Sequence, residues 1–271
     1  MKATFLCEKP LLVAIASLLL YAHNACAADS GGAPPANNAG FTVLDNATNV
    51  THWGLGGGVG IGASPYKHYG AKVSPIPLFY FDDKWIHALG TSLDVKVGSW
   101  FGVSAALRLQ YALDDGYRGS DAPILNGMQT RKAGFWVGPS LTWTTRYGDL
   151  YGSYLVAGNK GRKAEVGFGK KVDYGRFSLE PHIGAAYYSA KYVDYYYGVR
   201  PYEARSGRAA YSGRATFNES IGTKLDYRLT AHQVLILDVD LKHLGAGITD
   251  SPLVNKKLIP EVRIGYLYRF N

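Results

Sequence analysis

The chain has two cysteines, Cys7 and Cys26, and both fall in its N-terminal stretch, so everything after Ala27 lacks a thiol. That excludes a disulfide scaffold and a cysteine-ligated metal centre for the body of the protein. Long apolar runs are equally scarce. After residue 20 none approaches the roughly 18 residues that a membrane-crossing helix needs, so helical spans are excluded there. A basic block is missing too: the formal net charge of +8 is spread thinly along the chain, which excludes the electrostatic footprint of a nucleic-acid binder. Anionic sugars, phosphates and peptidoglycan stay open as partners.

What is present begins with an address. Lys2 and Lys9 precede an apolar run over residues 11–20, and Ala25, Cys26 and Ala27 follow it with a small-residue pattern. This is the layout of a secretory signal peptide over residues 1–27, cleaved between Ala27 and Ala28. A lipoprotein signal would want a large apolar and a small residue where His23 and Asn24 stand. Secretion without disulfides points to a bacterial envelope. Residues 28–49 read as a flexible leader with room for a first strand from residue 41, and residues 50–271 as one domain.

That domain is dominated by alternation. Over residues 258–270, Leu258, Pro260, Val262, Ile264, Tyr266, Tyr268 and Phe270 share one strand face, while Glu261, Arg263 and Arg269 share the other. The pattern recurs in residues 85–97, 101–113, 134–146, 163–173, 176–188, 214–229 and 233–242, with Lys170 and Glu219 as charged exceptions on the apolar side. These strands are longer than the roughly 5–6 residues usual in soluble sheets and long enough for a tilted membrane strand. Aromatic residues gather near their ends, among them Trp85, Phe101, Trp143, Tyr187, Tyr227 and Phe270, where interfacial girdles would sit. Connections alternate between tight turns and long loops, as in outer-membrane barrels, with long loops outside and short turns in the periplasm.

The expected fold is therefore all-β: a closed antiparallel transmembrane β-barrel of the outer-membrane type. Eleven strands can be counted, a closed single-chain barrel needs an even number, and the missing one is expected at residues 41–50. Twelve is the reading and ten the fallback. Pro139 and Pro181 fall inside strands and require a bulge or a strand end. Residues 258–270 are expected to close the barrel and, through Tyr266, Tyr268 and Phe270, to carry its assembly signal for the barrel assembly machinery.

The charged faces fill the interior. Arg108, Arg146, Glu180, His182, Lys224, Arg228, Asp238, Asp240, Lys242, Glu261 and Arg263 are expected to form a lumenal network of mixed sign. Asp238 and Asp240 share a face at i, i+2, which would also permit paired-carboxylate chemistry, but no nucleophile motif accompanies them. His87 is placed on the outer face beside Trp85. Gly58, Gly60 and Ala63 match a dinucleotide fingerprint, yet Pro65 and Tyr66 open a loop where a helix is required, so residues 54–62 read as a glycine-rich barrel strand. No catalytic, cofactor-binding or metal residue is assigned. A tyrosine-dense stretch containing Tyr195, Tyr196, Tyr197 and Tyr202 suits a loop interaction surface, an interfacial girdle or a self-packed loop equally.

Several fragments carry a resemblance: Tyr196, Tyr197, Gly198 and Val199 followed by Glu203, Ala204 and Tyr211, then Ser251, Pro252, Leu253 and Val254. Pro75, Ile76 and Pro77 entering a strand, Leu125, Asn126, Gly127 and Met128 with Arg131 close behind, and Gly265 to Phe270 support it. Over residues 53–270 the chain resembles the MipA/OmpV family, outer-membrane proteins described as MltA-interacting or scaffolding proteins. The resemblance implies a non-enzymatic barrel in the outer membrane of a Gram-negative bacterium. Its implied role is to bring a murein hydrolase, the lytic transglycosylase MltA, together with a murein synthase. A narrow pore for small polar or anionic solutes and an outer-membrane hydrolase are the alternatives of other classes. One departure is that Asn271 follows Phe270, where such chains usually end on an aromatic residue.

Overall fold

A strand with one oily and one charged face needs two solvents, and a sheet closed into a ring supplies both. The computed structural model describes residues 49–113 and 115–270. The expected signal peptide, almost all of the leader, and Asn271 lie outside the described residues. The strands are β1 (His52–Ala63), β2 (Ala71–Asp82), β3 (Ile86–Leu89), β4 (Ser92–Trp100), β5 (Val103–Tyr111), β6 (Phe135–Thr145) and β7 (Gly148–Ala157). They continue as β8 (Gly161–Gly169), β9 (Val172–Tyr174), β10 (Phe177–Tyr188), β11 (Thr216–Arg228), β12 (Gln233–His243) and β13 (Leu258–Arg269). Neighbours pair antiparallel around the ring, and β13 returns to β1 over Gly54↔Arg269 to Gly62↔Glu261. No helix among the described residues is long and apolar enough to cross a membrane.

Two of the thirteen segments are halves of one strand, which makes the ring twelve-stranded. Both β8 and β9 pair with β10, at His182↔Gly169 and Leu179↔Val172, so the register is the same on either side of the break. The break lies opposite Pro181, which has no N–H to give to the ladder. Pro139 acts alike: the β6–β7 ladder skips from Val137↔Val156 to Ser140↔Ser153 without a shift. Each proline thus costs a local gap in one ladder, where a bulge or strand end was expected. The bulge that does occur lies elsewhere, at Lys96/Gly98 between β4 and β5.

The even number comes from inside the chain. Residues 85–97, read as one strand, are the hairpin β3–β4, turned at Gly90 with φ +62°. β1 has β2 on one edge and β13 on the other. Of the segment expected to supply the twelfth strand, only Asn49 and Val50 are described, and neither is in a strand. The tight hairpin also flips the side-chain alternation, since Ile86 pairs with Val95 and His87 with Asp94. His87 therefore faces the lumen rather than the outer face, and its Nδ1 lies 3.0 Å from Asp82 Oδ1.

The outer wall is the apolar face that alternation predicts: Phe135, Leu141, Trp143, Ile183, Leu237, Ile264 and Tyr266 are all exposed. Aromatic pairs mark its two rims. At the short-turn end Phe270 stacks on Trp53 with ring centroids 4.0 Å apart and Phe177 meets Tyr227 at 4.6 Å; at the long-loop end Tyr187 meets Phe217 at 5.2 Å. The inward face of β1 is glycine at residues 54, 56, 58, 60 and 62, which brings its backbone hard against β13.

Candidate functional site

Two built regions occupy the barrel: a belt of charge across the lumen and a cap over the long-loop mouth. The belt centres on Arg263. Its guanidinium donates to Glu261 at 2.9 Å, Asp238 at 3.1 Å and Asp240 at 3.0 Å, while Lys242 donates to Glu261 at 2.9 Å. His182 Nε2 lies 3.0 Å from Asp240 Oδ1, and Lys224 Nζ reaches Glu180 at 3.5 Å and Asp226 at 3.6 Å. Arg108 makes a two-pronged pair with Asp94, both contacts 2.8 Å. These groups come from adjacent strands because facing residues on one side of a sheet lie about 5 Å apart.

Two residues expected in this network are elsewhere. Arg146 sits at the β6–β7 turn over the Tyr147 ring, and Arg228 bonds the Gly175 carbonyl at the β9–β10 turn. Their alternation was right, but both stand where strands end. Conversely Asp94, Lys163 and Asp226 belong to the interior and were legible from the same alternation; Lys163 donates to Gln110 at 2.7 Å and lies over the Trp136 ring. His182, Asp238 and Asp240 offer donor atoms within 4.8 Å of one another, the arrangement that can hold a cation. Arg263 already binds both carboxylates there, so the guanidinium is the cation of that cluster.

The cap is assembled from the loops after β1, β5, β7, β10 and β12. Ser189 accepts from the Tyr192 N–H and starts helix α1 (Ala190–Tyr197), which ends at Gly198; a short helix α2 (Ala246–Thr249) lies in the last loop. Leu125, Val193, Ile248 and Leu253 form a core with Tyr66, Tyr192, Tyr196 and Val199 that runs into the wall at Trp136, Leu155 and Ile259. Side-chain hydroxyls tie the loops together: Tyr66 donates to the Tyr196 carbonyl at 3.1 Å, Ser251 to Tyr197 at 2.6 Å and Tyr211 to Gly247 at 2.6 Å. At its heart Arg131 pairs with Glu203 at 2.8 Å, their side chains 2 % and 1 % exposed. Arg208, also buried, donates to the carbonyls of Glu203, Ile124 and Asn126.

Of the four tyrosines expected to offer an interaction surface, Tyr202 alone is well exposed, at 68 %. Tyr196 is buried in the cap core, Tyr197 stacks on Tyr66, and Tyr195 lies partly buried against it. Burial pushes the phenols of Tyr66, Tyr192, Tyr196 and Tyr197 far above the ordinary tyrosine value and that of Tyr117 up to about 12. They stay neutral across the physiological range. A Tyr66→Phe variant should lose about 1 kcal/mol from the cap. Native-state proteolysis of the loops should then run about fivefold faster, and an unchanged rate would show that the hydroxyl contributes nothing.

Three cavities lie along the lumen, two of them sharing Tyr188, Asn218 and Lys242. One of about 390 Å³ lies toward the short-turn end among His87, Asp94, Lys96, Ser104 and Thr142; one of about 330 Å³ lies at mid-height beside Tyr151, Glu165, Ser220 and Arg263. A third, of about 200 Å³, lies under the cap among Ser64, Tyr66, Ser74, Tyr188, Tyr197 and Asn218.

Comparison with known proteins places these features in a lineage. A family model described as MltA-interacting protein MipA matches residues 55–270. The putative outer membrane protein YiaT of Escherichia coli K12 is 25 % identical over 80 % of this chain and 90 % of its own. The MltA-interacting protein of the same organism is 26 % identical over 84 % of this chain and 96 % of its own. The outer membrane protein OmpV of Vibrio cholerae is 34 % identical over 36 % of this chain and 38 % of its own. The fragments around Leu125, Tyr196, Glu203 and Leu253 that carry the sequence resemblance are the ones that build the cap.

Proposed function

The chain belongs to the MltA-interacting protein MipA family of outer-membrane β-barrels, and from that premise we propose that it is a non-enzymatic scaffold for peptidoglycan-remodelling enzymes. Its partner is a lytic transglycosylase of the MltA kind, held at the inner surface of the outer membrane together with a murein synthase. The observation that carries this reading is the cap: a lid with its own core and a buried Arg131–Glu203 pair is built to close the outer mouth. A barrel closed on the outside leaves its periplasmic side to work with. The turns there are short, so the rim and the leader over residues 28–49 supply the docking surface.

Pull-down from periplasmic extract with the mature chain should recover a lytic transglycosylase, and deletion of residues 28–49 should reduce that recovery severalfold. No enrichment with the intact chain would sink the scaffold reading, and equal recovery without the leader would move the contacts to the barrel rim. The lumenal cavities favour the second reading, a narrow pore for small polar or anionic solutes. Planar-bilayer recording separates the two, since the capped barrel should give no defined channel.

A further inference from the structure

The barrel wall is incomplete on one side. β3 is only four residues long and pairs with β2 at Tyr80, Phe81 and Asp82, so above Phe79 the strand β2 has β1 on one edge and, among the described residues, no strand on the other. The last backbone bond across this side is Gly90 N–H to the Phe79 carbonyl, 2.9 Å. Because that carbonyl points to the open side, the backbone groups of residues 73, 75 and 77 do so too. At two of these three positions the residue is proline. Pro75 and Pro77 remove the N–H donors that a further strand would need, which is how sheets keep an edge from pairing. Among the described residues no backbone bond closes residues 73, 75 and 77 on that side.

An open edge inside a membrane is tolerated where it lines a cavity. Such a cavity lies directly behind β2: the chamber of about 200 Å³ under the cap is lined by Ser74 of β2, by Gly60 and Gly62 of β1, and by Tyr66, Tyr188 and Tyr197. Val73, one residue away, points outward and is 64 % exposed on the lipid side. The Gly90 turn bounds the gap below and the cap bounds it above, with Tyr66 meeting the Tyr117 ring at 5.0 Å.

We propose that the interruption beside β2 is a lateral opening through which small amphipathic molecules dissolved in the outer leaflet reach the tyrosine-lined chamber. The chamber suits that class. Its phenol rings offer apolar faces, while Ser64, Ser74 and Asn218, with the charged Lys72, Asp115, Lys242 and Glu261, offer partners for one polar end. Its volume admits a compact ring or short chain rather than a whole lipid. Entry from the side also leaves the cap shut, so access to the chamber and closure of the mouth are independent.

The cysteine-free body of the protein makes the test direct. Ser74→Cys puts a thiol on the lumenal face beside the opening, and Ser220→Cys puts one at mid-lumen on β11, whose neighbours β10 and β12 pair along its length. Both variants, produced without residues 1–27 and so without Cys7 and Cys26, reconstituted in liposomes and shown to be folded by the gel shift between unboiled and boiled samples, are treated with bilayer-dissolved N-cyclohexylmaleimide or a membrane-impermeant sulfonated maleimide. The lipophilic reagent should modify Cys at position 74 at least about tenfold faster than Cys at position 220, and the charged reagent should show no such preference. Equal lipophilic rates at the two positions, or faster reaction of position 74 with the charged reagent, would overturn the lateral opening. If the Ser74→Cys chain does not fold, Ile76→Cys, two residues along the same face, takes its place under the same two outcomes.

Discussion

Replacing Glu203 by leucine is expected to open the cap while leaving the barrel closed. Arg131 would then be a guanidinium buried with no counter-charge, and losing one partner of such a pair costs about 3–5 kcal/mol. Protease cleavage in the loop between β5 and β6 should rise by roughly a hundredfold or more, because cleavage tracks the population of the opened form. The gel shift of the unboiled barrel should stay, since the wall ladders do not involve Glu203. The double change Arg131→Met, Glu203→Leu should recover part of the loss, as an apolar pair carries no orphan charge. Parent-like cleavage in Glu203→Leu would show that the pair does not hold the lid.

The same residue sets the acid limit. Burial alone would raise the Glu203 carboxyl, but the N–H groups of Gln129 and Arg200 and the Arg131 guanidinium hold it below the usual carboxylate range. A folded value below the unfolded one, about 4.3, contributes stability that is complete above that value and lost as pH falls through the folded one. Protease resistance of the loops should therefore be flat from neutral pH down to about 5 and fall in stronger acid. Glu203→Leu should lack that acid step.

The second large effect lies at the seam between the first and last strands. A Cβ on Gly56 would stand 1.9 Å from the Tyr266 carbonyl oxygen, and on Gly58 2.4 Å from that of Ile264. Backbone cannot yield as a side-chain tip can, so Gly56→Val should abolish closure and with it nearly all gel-shifted, outer-membrane protein. Gly57, whose Cβ would meet nothing nearer than 4.0 Å, is the control, and Gly57→Ala should assemble normally. Normal assembly of Gly56→Val would mean that the two strands do not approach so closely.

Most of the barrel was legible because the wall obeys a period of two. The outward set Phe135, Leu141, Ile183 and Ile264, and the inward set Glu180, His182, Asp238 and Arg263, follow from alternation alone. What alternation could not reach were the places where the period resets or stops. The tight β3–β4 turn inverts the faces, which put His87 on the wrong side and hid a strand. Arg146 and Arg228 keep the right parity but stand where the strands end. The cap was illegible for a different reason: its core is gathered from separate loops, so Leu125, Val193, Ile248 and Leu253 share a cluster with no common spacing. Tyr196 could not be assigned between surface, girdle and self-packed loop, because a loop tyrosine gives no local sign of what will cover it. The family fragments did point to the cap, but as scattered pieces without geometry.

Because the cap draws on loops from the first hairpin to the last, it has no stable part of its own before the barrel is complete. Tyr66 waits for Val254, about two thirds of the chain away, and Arg131 waits for Glu203. Long-range contacts of this kind form late, after the chain closures that bring them together. The lid is in effect a completion signal: during biogenesis, resistance of the outer loops to protease should appear after the gel shift of the closed barrel, and a chain stalled one hairpin short should show neither a lid nor a partial one.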